Sequence, residues 1–183
     1  MSKNGLILLT PTSIAYTGTS ATISANGSVS FSSIGSLSLN GVFSADYDNY
    51  TVVIGGKSSG NYDSVRVRYR ASGTDDTGSN YTYQSLTAVG TLVDAYRATT
   101  DHIYSSLFGT TSYGGVVFNI YGPYLTSATA FRSVTCSITN NARIDDAAST
   151  HSQSTSYDGL TISPSTGINR PFTGRIAVYG MRK

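Results

Sequence analysis

The sequence predicts an all-β fold, a single antiparallel β-sandwich of jelly-roll type with little helix. Three observations carry that expectation. The 183 residues include 29 Ser, 24 Thr, 14 Tyr and 19 Gly, the material of strands and turns. Strong helix formers are scarce, with no Glu, three Lys and two Met. Apolar and polar residues alternate with period two in short runs set off by Gly, Asn and Asp. Helical bundles and doubly wound α/β folds are thereby excluded. The length suits one domain over residues 1–183, large enough to bury a core without disulfide or metal staples. No linker or fixed-period repeat divides it.

In chain order, Thr22-Ile23-Ser24-Ala25 and Ser28-Val29-Ser30-Phe31 flank Asn26-Gly27. That pair is a strong hairpin signal, because both central residues of a type I′ turn need positive φ. Ser36-Leu37-Ser38-Leu39 follows and closes on a second pair, Asn40-Gly41. Further strands are expected at residues 50–54, 64–71, 80–86, 116–121, 131–139, 159–162 and 175–180. Residues 91–100, with Leu92 and Tyr96, read as a short helix or a long loop.

A net charge of +2 is too mild to imply nucleic acid. The run Leu6, Ile7, Leu8, Leu9 is too short for a signal-peptide core or for membrane insertion. Cys136 is the only cysteine, so no intrachain disulfide is possible, and the run 133–138 around it reads as a strand that buries it.

Several strings resemble catalytic or metal-binding motifs and fail on context. Asp76-Thr77-Gly78-Ser79 matches the aspartic-protease string, but the polar Ser72-Gly73-Thr74-Asp75 precedes it where an apolar strand is required. An Asp/Gly turn between strands is the plainer reading. Gly56-Lys57-Ser58-Ser59-Gly60 matches a nucleophile elbow, yet a strand follows where a helix is needed, so a hairpin loop is expected. Asp46-Tyr47-Asp48 opens like a calcium loop, but Thr51 and Lys57 occupy the Gly and Glu positions. Looser sites on Asp75, Asp76 and Asn80, or on Asp145 and Asp146, read as solvated turn carboxylates. The two histidines, His102 and His151, lack metal-ligand spacing and read as ordinary surface residues. No cofactor is expected.

The sharpest local pattern is Val65-Arg66-Val67-Arg68-Tyr69-Arg70. On a strand, Val65, Val67 and Tyr69 share one face, and Arg66, Arg68 and Arg70 form a ladder on the other, about 6.6 Å apart. The ladder suits phosphate, acidic sugars or a partner's carboxylates. The plainer reading is a solvated face paired with nearby Asp, and a third is a subunit interface, where Arg and Tyr are enriched and Lys and Glu depleted.

Three stretches taken in order resemble a known group. They are Asn61-Tyr62-Asp63-Ser64 through the arginine ladder to Thr82-Tyr83, then Phe118-Asn119-Ile120-Tyr121-Gly122-Pro123-Tyr124 with Thr129-Ala130-Phe131-Arg132-Ser133, and the ending Phe172-Thr173-Gly174-Arg175-Ile176-Ala177-Val178-Tyr179-Gly180. Over about residues 45–183 this order resembles virion structural proteins of tailed bacteriophages, including those of marine cyanobacteria, of the tail-fibre-like or decoration type. The resemblance implies a β-sandwich module mounted on a virus particle, without enzymatic activity and with no catalytic residues to transfer. A fibre shaft is missing: there are no heptads and no Gly-X-Y repeat. A head-sized module bolted to the capsid or tail is therefore expected.

The leading expectation is a non-enzymatic structural or decoration protein located in the virion. It would assemble with other capsid or tail proteins and with itself as a symmetric oligomer such as a trimer. Residues 1–16, with Leu6, Ile7, Leu8 and Leu9, are either an anchor exchanged onto a neighbour or an ordinary first strand. The alternative is a receptor-binding fibre tip that recognises a host surface glycan through tyrosines and short polar side chains.

Overall fold

The computed structural model describes residues 5–60, 63–110, 112–138 and 142–183. Residues 1–4 of the expected anchor, Asn61 and Tyr62 of the resembling stretch, and Thr139 of an expected strand lie outside the described residues. The strands are β1 (Leu6–Leu9), β2 (Ser13–Ile23), β3 (Val29–Asn40), β4 (Tyr47–Ser58), β5 (Asp63–Ala71), β6 (Thr74–Asp75) and β7 (Tyr81–Val89). They continue with β8 (Leu92–Thr100), β9 (Ile103–Phe108), β10 (Gly114–Tyr121), β11 (Thr129–Ile138), β12 (Ala142–His151), β13 (Gly159–Pro164) and β14 (Phe172–Arg182). Among the described residues there is no α-helix, only a 3-10 turn at Gly167–Asn169.

All the pairings are antiparallel and link these strands into one sheet, in the order β6-β5-β13-β3-β14-β4-β10-β11-β12-β7-β8. Outside this path, β1 pairs with β14, β2 with β3, and β9 with β5. Strands β5 and β7 are far apart along the path. Even so, the Tyr69 N–H donates to the Tyr81 hydroxyl at 3.1 Å, and the two rings stack with centroids 5.9 Å apart. The sheet therefore curls until its ends meet, a half-barrel with the core inside. The all-β antiparallel architecture expected from the sequence is found in this curled form.

A bulge in β3 sets up the curl. The register slips by one residue between Thr17 and Gly18 of the paired β2, where Gly18 has φ 112° and Ser33 φ 48°. A Cβ at Gly18 would lie 2.1 Å from the Ser33 carbonyl oxygen, so glycine is required there. On one side of the bulge β3 pairs with β14 (Val29 to Ile34), and on the other with β13 (Leu37 to Leu39). The inward residues follow from alternation: Leu37, Ile54, Val67, Phe118 and Ile162 are all fully buried. Each such side chain contributes roughly 1.5–3 kcal/mol by leaving water.

Several expectations are corrected. The segment expected as helix or loop at residues 91–100 is strand β8, hairpinned to β7 through Gly90-Thr91. Only Gly90 takes positive φ, 59°, which matches a two-residue II′ turn. The Asn26-Gly27 hairpin forms, but Gly27 alone has positive φ, so the turn is not type I′, and the Asn26 side chain instead accepts the Ser28 N–H at 3.1 Å. The expected strands 28–31 and 36–39 merge into β3. Gly56-Lys57-Ser58 is no hairpin loop but the end of β4, with Ser58 buried. Strands β9 and β12 had no counterpart in the sequence reading. Cys136 is exposed on the outward side of β11. His102 and His151 are buried, not on the surface.

Candidate functional site

The arginine ladder lies on β5 as expected, with Val65, Val67 and Tyr69 fully buried on the core side. Arg68 donates through Nε to the Asp101 carbonyl at 2.9 Å and forms an ion pair with its carboxylate. Arg70 is only 8% exposed, which corrects the solvated-face expectation for this residue. It pairs with Asp75 and donates to Asn40 Oδ1 at 3.0 Å, Ser38 Oγ at 3.0 Å and Thr161 Oγ1 at 2.9 Å. Arg66 is half-buried, and its Nε has no hydrogen-bond acceptor. Carboxylates expected from the sequence thus occupy two of the three arginines, and the ladder knits β5 to β3, β6 and β13. Leu6, Ile7, Leu8 and Leu9 form β1, hydrogen-bonded to β14 of the same chain with Leu8 opposite Tyr179.

Asp76 of the protease-like string braces a turn. Its carboxylate accepts the Gly78 N–H at 2.9 Å and the Tyr157 hydroxyl at 2.8 Å, and meets His151 Nε2 at 3.1 Å. Burial alone would raise its pKa, but these donors outweigh burial and hold the carboxyl below its ordinary value. Burial pushes His151 below the ordinary imidazole value despite the facing carboxylate. Its ring is packed among Tyr69, Tyr81 and Tyr157, with centroids 5.4, 4.2 and 5.2 Å away. The partners of Asp76 are thus a histidine, a tyrosine, backbone and, at 3.5 Å, the Asn80 amide, with the geometry of a core brace. Among the described residues, no group of three or more His, Cys, Asp or Glu is placed to hold a metal ion.

Two surfaces stand out, on opposite sides of the same strands. The outer face carries two continuous rows of opposed residues. One runs Ala177, Val53, Val117, Val134, Asp146, Leu86, Ala95 across seven strands, from β14 to β8. The next runs Arg175, Gly55, Gly115, Cys136, Ile144, Ala88, Val93. Its large apolar members are exposed, from 39% at Val117 to 78% at Val93.

On the inner side, β7, β8, β12 and β9 enclose a cleft of about 490 Å³. Tyr83, Tyr96 and Tyr104 form its aromatic wall, the Tyr83 and Tyr104 rings stacked at 5.7 Å and Tyr83 and Tyr96 tilted at 5.8 Å. Asp145, Thr87 and Asp94 stand directly opposite one another across β12, β7 and β8. Arg143 forks onto Asp145 with two contacts of 2.8 Å. Burial first, then the adjacent Tyr96 and Tyr104, push the Tyr83 pKa up to about 12, so its hydroxyl stays neutral. Sequence reading missed this cleft because β8 and β12 were not recognised as strands. The available signal was the two-residue Gly90-Thr91 turn shortly after the expected strand at residues 80–86, the spacing of a hairpin.

Fold and surfaces together define an all-β protein with two rows of exposed apolar residues on its outer face and a tyrosine-lined inner cleft. No protein-family model matches the chain, and no curated protein matches it. The chain is weakly similar to the crystal structure of a protein of unknown function from Shewanella oneidensis MR-1. The TM-score is 0.29 and the identity 11%, over 99% of this chain and 80% of that one. A likeness at this level carries no argument.

Proposed function

We propose that the protein is a non-enzymatic structural protein of a bacteriophage particle, carried on the capsid or tail surface and assembled as a symmetric oligomer such as a trimer. The two facing arms of its curled sheet act as the layers of a sandwich module. The observation that carries the reading is the outer face. Seven strands about 4.8 Å apart carry two such rows about 6.8 Å apart, an apolar strip roughly 30 Å long. Standard interfaces bury about 800 Å² of accessible surface per partner, so a second copy of this chain laid on the strip would use the flanking polar rows as the rim of the contact. The strip's two rows contain no Lys, and Asp146 in them is gripped by Arg132 of the neighbouring row at 2.7 and 3.1 Å. Their other charge, Arg175, lies at the β14 end, where it reaches Ser30 Oγ at 3.5 Å.

Light scattering on the purified full chain at about 10 µM tests the assembly, since specific oligomers persist at micromolar concentration. Val117→Asp and Val134→Asp, at exposed positions, are expected to yield monomers with an unchanged far-UV spectrum. A wild-type chain that stays monomeric overturns the assembly. Antibody labelling of purified particles tests the location, and particles without label overturn it. Strand β1 is the segment to exchange or dock. Deleting residues 1–12 is expected to leave a folded protein that no longer joins particles, and normal incorporation removes the anchor role.

A further inference from the structure

We propose that the cleft between β7, β8, β12 and β9 binds a neutral saccharide. This is independent of the assembly reading, because alternation sends Tyr83, Ser85, Thr87 and Tyr96 into the cleft and Gln84, Leu86 and Arg97 to the outer face.

The volume of about 490 Å³ lies within the range of small-ligand sites. Two chemistries line it side by side. One wall is aromatic: Tyr96 is 59% exposed at the rim, while Tyr83 and Tyr104, stacked behind, fix the position of the wall. An exposed ring face of this kind accepts the C–H face of a sugar. The other wall is a set of short polar groups held in place by their neighbours. Asp145 is buried and takes a hydrogen bond from the Thr87 hydroxyl, Arg143 is forked onto Asp145, and Ser85 lies beside Tyr96 on the neighbouring strand. The rotamers of Asp145, Arg143 and Thr87 are set before a ligand arrives, which lowers the ordering cost of binding.

Charge selects among hydroxyl-rich ligands. Two carboxylates, Asp94 and Asp145, face one guanidinium, Arg143, which is already engaged by Asp145. The lining therefore carries an excess negative charge and disfavours phosphate, sulfate and sialic acid. A purely apolar ligand would strip water from the Asp145–Thr87–Asp94 row without replacing its hydrogen bonds. An uncharged molecule with one apolar face and several hydroxyls, a neutral sugar, meets both requirements.

Saturation-transfer NMR on the full chain tests the site, with lactose, maltose and N,N′-diacetylchitobiose as neutral probes and 3′-sialyllactose as the anionic one. At least one neutral probe is expected to bind with a Kd of about 1 mM or tighter, and more tightly than sialyllactose. Tyr96→Ala is expected to weaken that binding at least about tenfold. Tyr113→Ala, an exposed tyrosine outside the cleft lining, is expected to leave it unchanged. No binding by any neutral probe, preference for sialyllactose, or undiminished binding by Tyr96→Ala overturns the proposal. A monomer that binds lactose through Tyr96 would sustain the cleft and remove only the assembly reading.

Discussion

Two parts of one sheet obey the same alternation and put opposite chemistry on their inner sides. The half built on β3, β4, β5, β10 and β13 turns Leu37, Ile54, Val67, Phe118 and Ile162 inward, all fully buried. The arm built on β7, β8 and β12 turns Ser85, Thr87, Asp94 and Asp145 inward, and Leu86, Val93 and Ile144 outward into solvent. The far part of the arm is thus inverted relative to the core half, while Tyr81 and Tyr83 at its near end stay buried inward. Hydrophobic burial holds the core half, whereas the arm is held by its strand pairing and by Arg143, Asp145 and Thr87. An arm that contributes little apolar burial is free to present a ligand cleft on one side and a contact face on the other.

The largest expected effect tests that division with one residue type. Leu37→Ala removes a fully buried side chain from β3, and the expected loss of unfolding free energy is about 2–5 kcal/mol. Leu92→Ala removes a side chain that is 71% exposed on β8, and the expected change is within about 0.5 kcal/mol. Urea denaturation midpoints of the two variants check this. Equal losses would mean that the arm is packed like the core half.

The second effect contrasts two ion pairs. Arg70 is buried and joins β5 to Asp75, Ser38, Asn40 and Thr161. Arg70→Ala strands these partners, and a loss of about 3 kcal/mol is expected. Arg132 meets Asp146 on the solvent side of the arm, and Arg132→Ala is expected to leave the denaturation midpoint unchanged. A matching loss at Arg132 would show the outer face contributing to the stability of the subunit.

The core half was legible in the sequence for a physical reason. Val65, Val67 and Tyr69 alternate with arginines, and Leu37 and Leu39 with serines, so the inward face announces itself. The arm hid because β12 (Ala142–His151) alternates among Asp, Ala, Ser and Thr, with no apolar stripe to mark a strand. In β8, Leu92-Val93 and Ala95-Tyr96 fall in adjacent pairs, which blurs period two into something helix-like. The histidines were misread because burial of a single polar side chain depends on partners distant in sequence. His151 meets Asp76 and three tyrosines only once β12 returns beside β7. The ladder's alternation was visible and pairing with nearby Asp was expected, but Asp101, 33 residues on, reaches Arg68 only because β9 pairs with β5.

The smallest expected effect is in the pH response, where both regions contribute in the same direction. Burial holds His102, beside β5, and His151, on β12, below the ordinary imidazole value, against the pull of Asp101 and Asp76 respectively. Arg66 and Arg68 add to the lowering at His102. The folded chain thus resists a proton that the unfolded chain accepts near pH 6.5. The stability associated with neutral imidazoles is fully present above that value and is lost as pH falls below it toward the folded pKa values. Asp63, Asp76 and Asp101 are held below their ordinary value, so their contribution is lost at still lower pH, as it falls below about 3.9. Melting temperature is therefore expected to fall from pH 8 to pH 5 in the wild type. His102→Gln and His151→Gln are each expected to flatten part of that slope, and the double variant most of it. If only His151→Gln flattens it, the tyrosine-ringed imidazole governs the response and the Asp101 contact offsets burial at His102. A wild-type curve that is level across this range would mean that neither ring is held neutral by burial.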